Sequence, residues 1–219
     1  MHSVSPASAA PRASATERAY AATKERILDG RLAGGELISE GDVAALVGLS
    51  RTPVREAFLR LEAEGLLRLY PKRGALVVPV SPAEVEDVME TRLLVERHAV
   101  ERVGRATPAL VRELEAEIAR QRQLAAAGDA RGFVDSDRRF HRLLVAATGN
   151  AILLALHDSL RDRQRRMGLE ALSGEGERMR EICDEHDALA AAVAAGDERA
   201  GALLTAHLER TRELLRRRR

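Results

Sequence analysis

"SRTPVREAFLRLEAEG", residues 50–65, decides how the first third of the chain is read. Turned at about 100° per residue, Val54, Phe58 and Leu61 fall on one inward stripe, so the stretch is an amphipathic helix. Ser50 or Thr52 can cap it, and Pro53 lies in its first turn, where a missing N–H is harmless. Gly65 ends it. A short turn separates this helix from an earlier one that starts at "SEGD", residues 39–42, where Ser39 and Asp42 fit a capping box. Val43, Ala44 and Leu46 carry that helix to Gly48.

A helix through "AATKERILDGRL", residues 21–32, comes before, with the Gly34-Gly35 pair expected to close it. After Gly65, "LLRLY" (66–70) and "ALVVPV" (75–80) flank "PKRG" and read as a hairpin. Residues 16–80 therefore read as a winged helix-turn-helix. Residues 1–15 read as a disordered tail without the continuous apolar region of a signal peptide.

From residue 81 to 219 the pattern changes to long amphipathic helices without strands. "SPAE" at 81–84 combines an N-cap, a proline at the first helical position and a capping-box Glu. "TP" at 107–108 does similar work. "GD" at 128–129 and 196–197 sets a C-terminal Gly beside a capping Asp. With "TGN" and "SGEGE" as further breaks, about six helices are expected between 82 and 216, as an antiparallel all-helical bundle. The chain is then mainly α, in two domains.

Composition narrows the functions. Aromatic residues make up 2% of the 219 and Trp is absent, so base-stacking platforms for single-stranded nucleic acid are not expected. The formal net charge is +1, so any contact with DNA must come from local placement of charge. Cys183 stands alone, which excludes an intramolecular disulfide and any multi-cysteine zinc cluster and suits a reducing cytoplasm. No apolar run approaches membrane-spanning length, so no membrane partner is expected.

Local placement is present. Arg51, Thr52 and Arg55 lie on an arc beside the apolar stripe at the N-terminal end of the third helix, where a recognition helix meets base edges. Arg suits bidentate contact with guanine O6 and N7. In the wing turn Lys72 and Arg73 suit phosphates, and Gly74 permits close backbone approach. Glu56, Glu62 and Glu64 on the same helix leave open a plain solvated face; the tight turn, the capped helix and the basic wing weigh toward double-stranded DNA.

"LVGLSRTPVREAFLRLEAEGLL" followed by "PKRGALVV" resembles the DNA-binding half of GntR-family bacterial transcription regulators. The helical remainder resembles the FCD effector domain of the FadR/VanR branch. The resemblance implies that Arg51, Thr52, Arg55 and Gly74 approach operator DNA, and that the chain acts as a homodimer. One departure is Gly41, where family members often carry an Arg.

The second functional cluster starts from "DSDRRFHRLL", residues 135–144. At helical period Asp137 and His141 share a face with Phe133, Val134 and Leu144, and a carboxylate on an apolar face requires a partner. His186 shares its face with Met179, Ile182 and Val193, and His207 with Leu203, Leu204 and Leu214. His98 and His157 sit on mixed faces with charged neighbours. Three helices each turning a His inward, one adding an Asp, suit a divalent metal: Zn(II), with Ni(II), Mn(II) or Fe(II) fitting the same donors. Similarity to metal-binding FCD domains, with their Asp-x3-His and two later His, assigns the ligand roles to Asp137, His141, His186 and His207.

Arg92, inward among Val85, Val88, Met89, Val95 and Ala99, either pairs internally with Glu96 or clamps an anion. Family precedent makes Arg92 and Asn150 candidate contacts for a small carboxylate effector, although "TGN" around Asn150 is equally a helix-capping turn. The leading expectation is a ligand-responsive, non-enzymatic DNA-binding regulator. A regulator whose metal is structural or itself the signal is the first alternative. A metallohydrolase fused to a DNA-binding domain is the second, and it lacks an identifiable general base.

Overall fold

The computed structural model describes residues 13–172 and 174–217. Among them the order is α1 (Ala15–Leu28), β1 (Leu37–Ile38), α2 (Glu40–Val47), α3 (Arg51–Ala63), β2 (Leu67–Tyr70), β3 (Gly74–Val77), then α4 (Pro82–Val103), α5 (Pro108–Ala127), α6 (Ala130–Ala146), α7 (Ala151–Ser159), α8 (Arg161–Leu172), α9 (Gly176–Ala195) and α10 (Ala200–Arg217). The chain divides into two compact units, the first ending at Pro79 and the second comprising the residues from Val80 onward together with Leu28–Gly30. None of the described helices is long and apolar enough to cross a membrane.

The first unit is the winged helix-turn-helix. Ser39 caps α2 by accepting from the Asp42 N–H, and Gly48 closes it in the left-handed region at φ 68°. Val54, Ala57, Phe58 and Leu61 are the buried stripe of α3. Ser50 occupies the N-cap position without a side-chain bond.

Three expectations need correction. The first helix ends at Leu28, before a left-handed Gly30, rather than at the Gly34-Gly35 pair. It begins at Ala15, with Ser14 Oγ accepting from the Glu17 N–H, so Ser14 and Ala15 belong to the helix start rather than to a tail, and the rest of the tail expectation falls on residues 1–12, outside the described residues, and on Ala13. The wing has a third strand. β3 pairs antiparallel with β2 (Leu67 opposite Val77) and on its other edge with β1 (Ile38 opposite Ala75), giving the order β1-β3-β2. Two residues of β1 are too few to show a period in sequence.

That strand also explains Gly74. Its φ is 105°, and a Cβ there would stand 2.3 Å from the Ile38 carbonyl oxygen. The glycine is therefore demanded by the sheet itself, whatever the wing contacts.

In the second unit caps fall where local chemistry places them: Ser81 on α4, Thr107 on α5, Asp129 on α6 and Asn150 on α7 each accept from a first-turn N–H. The described bundle has seven helices rather than six, because residues 151–172 divide at Leu160 with no Gly or Pro to announce it. Phe133, Phe140, Leu114, Ile118, Leu144, Leu189 and Leu204 are fully buried between α5, α6, α9 and α10, each contributing roughly 1.5–3 kcal/mol by leaving water. Gly168 lets α8 press onto α6, since a Cβ there would lie 3.0 Å from both Val134 methyls. This core surrounds a polar centre.

Candidate functional site

The apolar face of α6 places Asp137 and His141 one turn apart, α9 delivers His186 and α10 delivers His207. One donor atom from each lies within 4.8 Å of the other three. Asp137 Oδ1 is 3.6 Å from His186 Nε2 and 3.9 Å from His141 Nε2. Donors 2.0–2.1 Å from one shared ion would stand roughly 3–4 Å apart, so these four residues could hold a metal ion after small side-chain shifts. The imidazoles crowd: ring centroids of His186 and His207 are 4.7 Å apart, and those of His141 and His207 5.1 Å.

The outer nitrogens explain how the rings are aimed. His186 Nδ1 meets Gln121 Oε1 at 2.8 Å. His207 Nδ1 meets Glu185 Oε2 at 2.6 Å. His141 Nδ1 lies 2.8 Å from Glu96 Oε2. For His186 and His207 an acceptor on Nδ1 favours a proton there and leaves Nε2 as a lone-pair donor, the arrangement by which metal-binding imidazoles are oriented; His141 Nδ1 lies close to Glu96 without hydrogen-bond geometry. His186 Nε2 and both ring nitrogens of His141 are buried with no hydrogen-bond partner, a costly state that coordination through Nε2 would partly relieve.

Electrostatics agree. Burial first, then the neighbouring imidazoles, holds His186 well below its ordinary pKa, and burial also lowers His207, so both favour the neutral form that binds metal. Burial would raise Glu185, but its bonds from His207 and Arg178 bring it down to about 2. That carboxylate is further held by Arg178 at 2.7 Å and Arg210 at 2.7 Å.

Arg92 does pair with Glu96: Nε to Oε1 is 2.8 Å, in full burial. Glu96 also receives His157, whose Nε2 is 3.3 Å from Oε1. The mixed-face reading of His157 is therefore corrected, since it is 1% exposed. Burial opposes the charge on Glu96, but Arg92 and then His141 hold its carboxyl well below the usual range. The internal pair does not remove Arg92 from the site. A cavity of about 50 Å³ beside Asp137 is lined by Arg92, Arg138 and Gln164 against Val134, Met167 and Leu214. Both amide atoms of buried Gln164 and the Nε of Arg138 lack partners.

Asn150 stands elsewhere. It is exposed, caps α7 through bonds from Ile152 and Leu153, and does not line that cavity. Leu203, expected on the inward face with His207, is exposed. Gln121 carried a sequence signal that was missed, as it shares the inward spacing of Leu114, Ile118 and Ala125 on α5. Glu185 carried none, since its role depends on which helix packs opposite.

In the first unit Arg51, Arg55, Lys72 and Arg73 line one open concave face, with Gly41 and Gly74 at its floor. Arg51 and Thr52 are exposed at the start of α3. Arg55 Nε donates to Glu40 Oε1 at 2.8 Å. Cations from α3 and from the β2–β3 turn thus line the same concavity.

Comparison with known proteins agrees with both halves. The alignment with an HTH-type transcriptional regulator in an unstable DNA locus of Streptomyces ambofaciens is 35% identical over 154 residues, spanning 68% of this chain and 64% of that protein, less than two thirds of its length. The HTH-type transcriptional repressor RspR of Escherichia coli K12 is 28% identical over 210 residues, covering 94% and 91%. The fold matches the solved structure of Escherichia coli McbR/YncC with a TM-score of 0.74 over 94% of this chain and 99% of that one, at 23% identity. Residues 15–77 match the family model of bacterial regulatory proteins of the gntR family, and residues 87–210 match the FCD domain. The chain belongs to the gntR family, its winged helix-turn-helix followed by an FCD domain.

Proposed function

We propose that the chain is a homodimeric, ligand-responsive transcription regulator that binds operator DNA through α3 and the wing and senses a small carboxylate at a metal-assisted site in the bundle. The observation that carries this reading is the clustering of Asp137, His141, His186 and His207 beside a mainly apolar cavity that carries a few polar groups. Zn(II) suits the donors best, with Ni(II), Mn(II) and Fe(II) as alternatives. A bound ion supplies a positive pole for a carboxylate. Arg92 and Arg138 add cationic donors, and the apolar wall excludes water. The unpartnered polar atoms of Gln164 favour an organic effector over a metal acting alone, because a buried amide without a partner is costly. Chelator-stripped and metal-loaded protein, titrated with short carboxylates while DNA affinity is followed, tests this. Response to a carboxylate only when metal is present is expected.

On the DNA side, Arg55→Ala should cost about 1–3 kcal/mol on the preferred sequence and relax its selectivity, whereas Lys72→Ala should weaken all sequences alike. Competition gel shifts with specific and random duplexes separate the two. Equal losses on both duplexes for Arg55→Ala would remove it from base reading.

For assembly, Leu94 on α4 and Ile152 and Leu156 on α7 are 67%, 81% and 44% exposed, apolar side chains that self-pairing about a two-fold axis would cover. Ile152→Asp together with Leu94→Asp should halve the solution mass measured by light scattering. A wild type that is already monomeric would rule the dimer out.

A further inference from the structure

We propose that Glu40 is a specificity-determining residue: it positions Arg55 for base reading while opposing attachment to DNA in general. The inference rests on the DNA-binding reading above. Its ground is an asymmetry between the two arginines of α3.

A guanidinium offers a side edge, made by Nε and one Nη, and an end edge made by both Nη atoms. Glu40 takes the Arg55 Nε at 2.8 Å, which occupies the side edge and leaves the end edge to face outward. The Arg55 side chain is 71% exposed and that of Glu40 27%, so the carboxylate is the anchored member and the guanidinium the presented one. Glu40 is well seated for that task. It lies in the first turn of α2, where the helix N-terminus favours a negative charge.

Arg51 has no such brace. Among the described residues it pairs with no carboxylate; its guanidinium lies over Gly41, where a Cβ would stand 3.2 Å from Nη2. The two arginines therefore reach the same concavity in different states, one oriented and one free to adapt. An oriented fork loses less freedom on meeting a guanine and tolerates fewer alternatives. The same carboxylate, set on a face that meets phosphates, repels every DNA sequence equally.

These two effects of Glu40 have opposite signs. A preferred duplex is first selected from a random pool with the full wild-type chain, and the base pair read by Arg55 is located as the position whose preference Arg55→Ala loses. Glu40→Ala is expected to bind random DNA several-fold tighter and to lose roughly tenfold or more of its discrimination at that one base pair. Glu40→Gln, which keeps an oxygen acceptor for Nε without the charge, should share the gain on random DNA and retain most of the discrimination. Thermal melting of each variant checks that α2 remains folded. Equal weakening on specific and random DNA would make Glu40 a structural residue and overturn the proposal. Full discrimination by Glu40→Ala would overturn it too. A wild type with no preferred sequence would instead defeat the DNA-reading assignment on which the proposal stands.

Discussion

His141→Ala is expected to abolish the proposed high-affinity binding of a divalent ion, lowering affinity by at least about 100-fold, and with it the stabilisation that a bound metal would give the bundle. Replacing outer-shell partners of metal ligands costs 10–100-fold, and loss of a ligand itself exceeds that. At a free metal concentration of about 100 times Kd, a native-state site adds roughly 2.7 kcal/mol to stability. The wild type should therefore melt higher with metal than with chelator, and His141→Ala should melt alike in both. Comparison within each protein separates metal binding from any packing loss at a residue that is 0% exposed. If the variant kept both its bound ion and its metal-dependent shift, His141 would be an ordinary core imidazole. Asp137→Ala should behave the same way, because its Oδ1 faces the Nε2 atoms of two histidines.

Glu96→Ala should be as destabilising as loss of a large core side chain, by about 3–5 kcal/mol even in chelator, because it strands a buried charge. Glu96 is 0% exposed, and its two oxygens contact Arg92, His141 and His157. Without it the Arg92 guanidinium, itself 6% exposed, keeps its charge and loses its counter-ion. Removing both charges with Arg92→Met and Glu96→Leu should recover much of the loss, since the pair's own desolvation cost then disappears. Urea midpoints of the two single variants and the double variant measure the coupling. Additive effects of the two changes would show that the pair contributes little beyond packing.

The parts of the structure legible in sequence are those set by neighbours along the chain. Ser39, Ser81, Thr107 and Asp129 cap the helices they precede because the cap bond spans three residues. Asp137 and His141 could be joined because one helical turn brings them to the same face. The inward faces of His186 and His207 followed from period too. What sequence withheld depends on tertiary contact. β1 exists because β3 offers it an edge, and Gly74 is needed because Ile38 crosses behind it. His157 is drawn inward to Glu96 despite charged neighbours in sequence. For Arg92 the internal pair with Glu96 is the alternative present, and the side chain also lines the cavity, which sequence could not show. Asn150 shows the reverse: its local capping chemistry accounts for its position, while the effector contact implied by resemblance gains no support from the cavity lining.

The central claim is that the bundle is built around a metal ion. Calorimetric titration of Zn(II), Ni(II) or Mn(II) into the chelator-stripped full-length chain tests it most directly. The account predicts one ion per chain, with heat that vanishes in His141→Ala and persists in Asn150→Ala. A wild type that binds none of these ions, or binds them equally well after His141→Ala, would contradict it.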